Sequence, residues 1–346
     1  MPKTLVITGG CGFIGSNFVH LLLRERPDWR IVNLDALTYA GNLANLASVA
    51  DDPRYSFIRV DITDAAALDA ALATLPTPPD ALVHFAAESH VDRSILGPEA
   101  FLNTNIIGTF RLLEYARKHK QMRYVQVSTD EVYGSLGDEG AFTEDTPIAA
   151  NSPYSASKAS ADLMVRAYHH TFGLDVVTTR CSNNYGPFQF PEKLIPLMIL
   201  HAKDGKPMPV YGNGKNVRDW IHVEDHCRGV LTALEQGKAG EVYNFGGESE
   251  RDNLQIVQQI AELVCGHRDL IRFVQDRPGH DWRYAMDITK VRRELGWEPR
   301  VGFAQGLADT IQWYLANPEW CRQVLSQEYR SFYDQWYTGR SNAKPA

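Results

Sequence analysis

The chain has no CxxC pair, no long block of like charge and no apolar run long enough to span a bilayer. Each absence narrows the function. Its cysteines, Cys11, Cys181, Cys227, Cys265 and Cys321, are five in number and scattered. An odd, unpaired set fits neither a disulfide framework nor a zinc pair, so reduced thiols in a cytoplasmic protein are expected. A membrane helix needs roughly 20 consecutive apolar residues, and none is present. Lys and Arg total 35 against 42 Asp and Glu, a formal net charge of -7. Nucleic-acid binding calls for a basic patch, and none is visible. A negative protein that takes a negative ligand must do so with local N–H donors and a few placed cations. Met1-Pro2-Lys3-Thr4 leads directly into a β-type run, so no signal peptide is expected. Internal repeats are also missing.

What is present is ordinary globular composition over 346 residues, 44% hydrophobic and 22% charged. That length suits one large or two unequal domains. Thr4-Leu5-Val6-Ile7 reads as a strand and is followed by Gly9-Gly10-Cys11-Gly12-Phe13-Ile14-Gly15. Apolar residues at helical spacing run from Ser16 to Arg26, and Ile31-Val32-Asn33-Leu34 then leads to Asp35. Strand, glycine turn, helix, strand and acidic residue form a variant of the dinucleotide fingerprint. The glycines let the backbone approach a pyrophosphate at a helix N-terminus, where N–H groups and the helix dipole favour negative charge. Asp35, twenty residues beyond Gly15, suits the adenosine ribose hydroxyls and repels a 2′-phosphate. No arginine follows in Ala36-Leu37-Thr38, so NAD is expected rather than NADP.

The alternation continues. A strand over 55–60 ends at Asp61-Ile62, and a helix follows over 63–74 with Thr63 as its N-cap. Asp61 reads equally as a helix cap or as an adenine contact. The strand Ala81 to Phe85 opens into Ala86-Ala87-Glu88-Ser89-His90, where small residues let the chain lie close to a cofactor. Ser89 is a candidate ligand contact, and His90 reads as a structural histidine. A long helix over 98–120 precedes the strand Tyr124-Val125-Gln126-Val127. The pattern predicts a Rossmann-type, doubly wound parallel α/β sheet over 1–190.

Two stretches carry the chemistry. Thr129-Asp130-Glu131 follows the last of those strands, at the sheet edge where ligands bind in open α/β folds. Tyr154 and Lys158, four residues apart, share one face of a helix over 152–171 with Ser152-Pro153 at its start. A neighbouring ammonium favours phenolate, so Tyr154 is expected to ionise readily. Alone, the acids read as a helix cap with solvated carboxylates, and the Tyr/Lys pair as a surface pair. Together, behind a dinucleotide turn, they point to a redox site.

The glycine turn with Tyr154-x-x-x-Lys158 resembles the extended short-chain dehydrogenase/reductase family. His84 to Ser94, the Thr129-Asp130-Glu131 triplet and Asn183-Asn184-Tyr185-Gly186-Pro187 are similar to the dTDP-glucose 4,6-dehydratases within it, as are Pro191 to Pro196 and Asp276 to Asp281. The likeness runs from about residue 3 to about residue 335. Departures are Phe85 in place of leucine, Ala36 where lysine is common, and a shorter segment ahead of the Asp130 strand. The resemblance implies that Tyr154, aided by Lys158, deprotonates the glucosyl C4 hydroxyl while Thr129 holds its oxygen. Glu131 is then the base at C5, and Asp130 the acid that protonates the departing C6 hydroxyl. The implied cofactor contacts are Gly9, Gly12, Phe13, Ile14, Gly15, Asp35, Ala36, Leu37 and Thr38. They continue with Asp61, Ile62, Phe85, Ala86, Ala87, Ser89, Thr104, Tyr154, Lys158 and Asn184.

After Pro191 proline and glycine become frequent, and a smaller mixed substrate domain is expected over 191–338, with a return to the first domain near 220–236 and a tail over 339–346. For a sugar nucleotide, Arg218 and Arg277 are candidates for the phosphates, since guanidinium offers paired donors. Ser89, Thr129, Asn183, Glu192, Lys193, Leu194, Pro209, Val210, Tyr211, Asn253 and His280 complete the implied substrate set. Tyr211 stands open between base stacking and core packing. His222 and His226 have helical spacing but not the order of a zinc hydrolase, and no metal is expected. A homodimer through the 98–120 and 152–171 helices is implied by resemblance. A nucleotide-sugar 4-epimerase, a 4,6-dehydratase of another nucleotide sugar and a non-catalytic NAD sensor are the rival readings. Asp130 and Glu131 separate the dehydratases from the other two, and base selectivity stays open.

Overall fold

Parallel strands buried on both faces read as near-continuous apolar runs, and the strand sequences here have that character. The structure, a computed structural model, describes residues 3–325 and Trp336. Its first six strands are β1 (Thr4–Thr8), β2 (Arg30–Asp35), β3 (Tyr55–Arg59), β4 (Ala81–His84), β5 (Arg123–Thr129) and β6 (Val176–Cys181). Shorter ones follow: β7 (Asn183–Tyr185), β8 (Met208–Tyr211), β9 (Val217–His222), β10 (Val242–Phe245), β11 (Glu250–Asp252) and β12 (Ile271–Val274). The main sheet has the order β10-β6-β5-β4-β1-β2-β3, and all its pairings are parallel. This is the expected Rossmann-type sheet.

The helices are α1 (Phe13–Glu25), α2 (Ala65–Ala73), α3 (Val91–Leu96), α4 (Pro98–Phe101), α5 (Thr109–Lys118) and α6 (Pro153–Phe172). Then come α7 (Leu194–Lys203), α8 (Val223–Gln236), α9 (Asn253–Val264), α10 (Thr289–Leu295), α11 (Phe303–Ala316) and α12 (Pro318–Val324). Alternate strand residues face opposite helical layers. Leu5, Ile7, Val83 and Val125 meet Phe18 and Leu22 of α1 and Val230 and Leu231 of α8. Val6, Leu82, Tyr124 and Val176 meet Leu68 and Leu72 of α2, Leu112 of α5 and Val165 of α6. Each fully buried aliphatic side chain contributes roughly 1.5–3 kcal/mol, so these two layers hold the sheet edge rigid.

Local differences from expectation have local causes. The N-cap of α2 is Asp64, whose carboxylate accepts from Ala67 N; Thr63 instead turns back and donates to Asp61. The helix expected over 98–120 holds a π-helical segment, Leu102–Gly108, between α4 and α5. There Asn105 faces inward and bonds both the N–H and the C=O of Glu88, and a Cβ on Gly108 would lie 2.5 Å from Ile62. The wider turn accommodates both demands.

Beyond residue 191 the chain builds a second core. Tyr185, Met198, Ile256, Ile260, Leu307 and Tyr314 pack there, and α7, α9 and α11 supply most of it. It also returns to the first layer twice. α8 packs on α1, and β10 adds to the main sheet beside β6. Trp313 and Trp320 pack edge-on at 4.9 Å, and both contact Phe188, so this aromatic group is packing. Tyr329, Phe332, Tyr333, Tyr337 and the tail over 339–346 lie outside the described residues.

Candidate active site

Register brings the carboxyl ends of the strands into line. Thr8 pairs with Leu34 and with His84, and Thr129 pairs with Cys181. The residues that follow these positions therefore share one edge, at the point where the strand order reverses. A cavity lies along it, lined by Gly9, Gly12, Asp35, Asp61, Ala86 and Asn184 and by Thr129, Glu131, Tyr154 and Lys193. Phe13, Ile14, Gly15, Ala36, Thr38, Ile62, Phe85, Ala87, Ser89 and Thr104 line it too.

The glycine turn is built for close approach. Gly9 sits at φ +74°, and a Cβ there would lie 2.5 Å from Ala86 N. A Cβ on Gly15 would lie 2.2 Å from Gly9 O. Gly12 caps α1 without any side-chain bond, which leaves first-turn N–H groups for an anion. Asp35 accepts from Cys11 N and Leu37 N, both at 2.8 Å. Burial raises its pKa and those two N–H groups draw it back. Leu37 does not line the cavity; it bends the loop at φ +55° and packs against the core. Asp61 is not the cap of α2, which is Asp64; it accepts from Thr63 N and Oγ1 at 2.8 Å and lines the cavity, the position its adenine-contact reading requires.

At the end of β5, Thr129 starts a short 3-10 turn over Asp130–Tyr133. Its hydroxyl donates to Asp130 Oδ1 at 3.1 Å and accepts from Glu131 N at 3.3 Å. Asp130 is 2% exposed, and its Oδ2 has no partner among the described residues. Burial first, and the charge of Glu131 second, hold its pKa well above the carboxylate range. Burial also raises Glu131, but Lys193, Arg277 and Arg218 pull it down. Adjacent carboxyls are thus split, with the proton favoured on Asp130.

Helix α6 begins with a capping box between Ser152 and Ser155 and Pro153 in its first turn, and this fixes Tyr154 at the cavity. The easily ionised phenol expected from the sequence is not found. Burial, then the carboxyls of Glu131 and Asp130, hold Tyr154 well above 10. Lys158 is buried and donates to Val127 O at 2.7 Å, and burial lowers its own pKa.

The substrate candidates divide. Asn183, Glu192 and Lys193 line the same cavity, with Lys193 Nζ donating to Ser89 O at 2.7 Å. Asn184 bonds His226 Nδ1 at 2.9 Å; burial lowers that histidine to about 3, so it is neutral. His222 caps α8. Outside the cavity lining, Arg277 pairs with Asp92 at 3.1 Å, and Tyr211 Oη donates to the other oxygen of Asp92 at 2.9 Å. Burial opposes the Arg277 charge, but Asp92 and Glu131 outweigh it. Arg218 is buried, lies 4.3 Å from the Tyr284 ring and donates to Asp281 O. Leu194 and Asn253 open α7 and α9, and Pro209 and Val210 are buried in β8. His280 bonds Asp276 at 2.6 Å and stands edge-on to Tyr211. Sequence reasoning passed over Gln189, Phe190 and Cys181, which line the cavity, and Arg93, which pairs with Glu192. Only Arg93 had a signal, within the His84 to Ser94 motif.

The cavity fits NAD on three observations: a cradle that Cβ atoms would fill, a carboxylate at the end of β2, and buried oxygens on Ser128 and Asn183 with no partner among the described residues. Fold and site together define an NAD-dependent enzyme of the extended short-chain dehydrogenase/reductase type. The GDP-mannose 4,6 dehydratase family model matches residues 6–310. A dTDP-glucose 4,6-dehydratase of Xanthomonas campestris pv. campestris (strain B100) is 53% identical, over 94% of this chain and 97% of that one. Another from Neisseria meningitidis serogroup B is 52% identical, over 95% and 98%. The crystal structure of the Streptomyces venezuelae dTDP-glucose 4,6-dehydratase with NAD and dTDP bound superposes with a TM-score of 0.89 at 51% identity, over 93% and 100%. The chain belongs to the dTDP-glucose 4,6-dehydratase family within the extended short-chain dehydrogenases/reductases.

The buried carboxyl has a stability consequence. The folded state keeps a proton on Asp130 that the unfolded chain gives up above about pH 4. Its contribution to stability therefore declines as pH rises from there to the folded-state pKa. Asp130→Asn removes that penalty, so its unfolding temperature is expected to exceed the parent's at pH 8 by more than at pH 5. An equal difference at both pH values would contradict a raised Asp130 pKa.

Proposed function

We propose that this chain converts dTDP-glucose to dTDP-4-keto-6-deoxyglucose and water, with NAD as a cofactor regenerated in each cycle. The observation that carries this reading is Asp130, a buried carboxyl with one oxygen unpartnered among the described residues, next to Glu131 and in the same cavity as Tyr154. A 4-epimerase or a non-catalytic sensor has no use for such an acid and base.

When bound, NAD would supply the acceptor for the hydride of sugar C4 and the donor of that hydride to C6. The glycine turn and the α1 N-terminus bind the pyrophosphate, and Asp35 receives the adenosine ribose hydroxyls. Tyr154 accepts the proton of the C4 hydroxyl, and Lys158, one turn further along α6, is the cation that stabilises the phenolate against the burial that opposes it. The Thr129 hydroxyl holds the C4 oxygen. Once C4 is a ketone, the C5 hydrogen is acidic, and Glu131 removes it. Lys193, Arg277 and Arg218 favour the charged form of Glu131 against the burial that raises its pKa. Asp130 supplies its proton to the C6 oxygen, and water leaves; Glu131 afterwards returns the proton to C5. Arg218 and Arg277 meet the sugar-nucleotide pyrophosphate, with the division at about residue 190 separating a cofactor half from a nucleotide-sugar half over 191–338.

Five free cysteines support a reducing, cytoplasmic setting. A homodimer through the 98–120 and 152–171 helices is part of the reading. Its support is apolar exposure on those helices, with Leu102 50% and Leu163 54% exposed.

Three measurements test these claims. Protein incubated with dTDP-glucose and then made alkaline is expected to show the ultraviolet absorbance of the keto product; interconversion of glucose and galactose forms without that product would refute the dehydratase reading. Glu131→Gln is expected to lose at least about 100-fold in dehydration while reduced nicotinamide accumulates, since oxidation at C4 does not use this base. Normal dehydration by that variant would show the base to be elsewhere. In sedimentation velocity, the parent should run as a dimer and the Leu102→Asp, Leu163→Asp double variant as a monomer; a monomeric parent ends the dimer proposal.

A further inference from the structure

A reaction that returns hydrogen to its own substrate requires the cofactor to stay in place between the two transfers, and any device that keeps it there rests on the NAD-dependent function proposed for this chain. Among the segments that line the cavity are three loops: one around residues 36–41 after β2, one around 85–89 after β4, and one around 189–193 before α7. The first carries the cofactor candidates Ala36 and Thr38, the last the substrate candidates Glu192 and Lys193. One side chain touches both. The guanidinium of Arg93, on α3, lies 3.9 Å from the ring centroid of Tyr39 in the first segment. Its Nε donates to Glu192 Oε2 in the last segment at 2.9 Å. The Glu192 side chain is only 2% exposed, and the Tyr39 ring also stands edge-on to Phe190 at 5.6 Å.

Partial burial strengthens both contacts, because a desolvated cation binds a ring face and a carboxylate more strongly than a hydrated one. Removing the arginine leaves a buried carboxylate without its ion-pair partner. The base of this clasp is fixed, since Asn105 bonds both backbone groups of Glu88, and Lys193 Nζ bonds Ser89 O. Arg93 therefore joins the two outer loops across the central one, and it acts through Tyr39 and Glu192.

The geometry points to Arg93 as a positioning residue that, with Tyr39 and Glu192, clasps the cofactor rim to the sugar rim and slows release of the dinucleotide during turnover. The test uses purified holoenzyme. NAD release is followed by dilution into an excess of an NAD-consuming enzyme, and reduced cofactor escaping during turnover is captured with lactate dehydrogenase and pyruvate. Arg93→Met and Tyr39→Ala are each expected to speed release about tenfold and to leak reduced cofactor during turnover. Tyr39→Phe, which keeps the ring, is expected to match the parent, and Arg93→Lys, which keeps the charge but not the planar stack, to fall between. A purely structural role would lower the unfolding temperature without changing release. Unchanged release in Arg93→Met and Tyr39→Ala overturns the inference; if Arg93→Met does not fold, Tyr39→Ala decides it. A parent protein that binds no NAD would instead refute the cofactor reading beneath it.

Discussion

A carboxyl group carried out of water at the end of a parallel strand keeps its proton, and at this site that single constraint separates an acid from a base. Asp130 is enclosed, with one oxygen on Thr129 and the other without a partner among the described residues. Its neighbour Glu131 is also buried, yet three cations from beyond residue 191 favour its charge. Two residues of almost identical chemistry thus meet different electrostatic influences from their surroundings. The rest of the fold can be understood as what holds that contrast. β5 lies inside the seven-stranded sheet between β4 and β6, and the apolar layers on either face leave its end little freedom.

The same burial complicates the redox half. Low dielectric that protects the proton of Asp130 also disfavours phenolate at Tyr154, and the two carboxyls add to the effect. The charge that weighs most on Tyr154 is a carboxyl, that of Glu131, rather than the Lys158 ammonium, which donates one bond to Val127 O. The site accordingly depends on charge that is balanced across the cavity rather than within one helix. Arg277 shows how widely that balance extends: it pairs with Asp92 after β4, yet it also lowers Glu131 at the end of β5.

Much of this was legible in the residues. Alternating apolar runs and helical patterns called for a parallel sheet, and glycine spacing with Asp35 located the cofactor end. Ser152-Pro153 marked the start of the helix that carries Tyr154 and Lys158, and a capping box stands there. Other features were not legible, each for a physical reason. The Asp64 cap competed with an equally good Thr63 one residue away. The π-helical segment at Asn105 exists because a distant loop needs both bonds of that amide. β10 is a four-residue run whose place beside β6 depends on a tertiary contact, not on its own pattern.

Taken alone, the sequence determined the class of fold, the position of the glycine turn and which ionisable side chains follow the strand ends, because these depend on local spacing and on side-chain chemistry. Protonation could not be read there. The ease of ionisation expected for Tyr154 was reversed by burial and by the carboxyls of Glu131 and Asp130, and Glu131 is drawn down by cations from segments more than sixty residues away in the chain. Nor could spacing reveal that Arg93 bridges Tyr39 and Glu192. Electrostatic energies depend on dielectric and on distance through space, and the folded chain alone decides both.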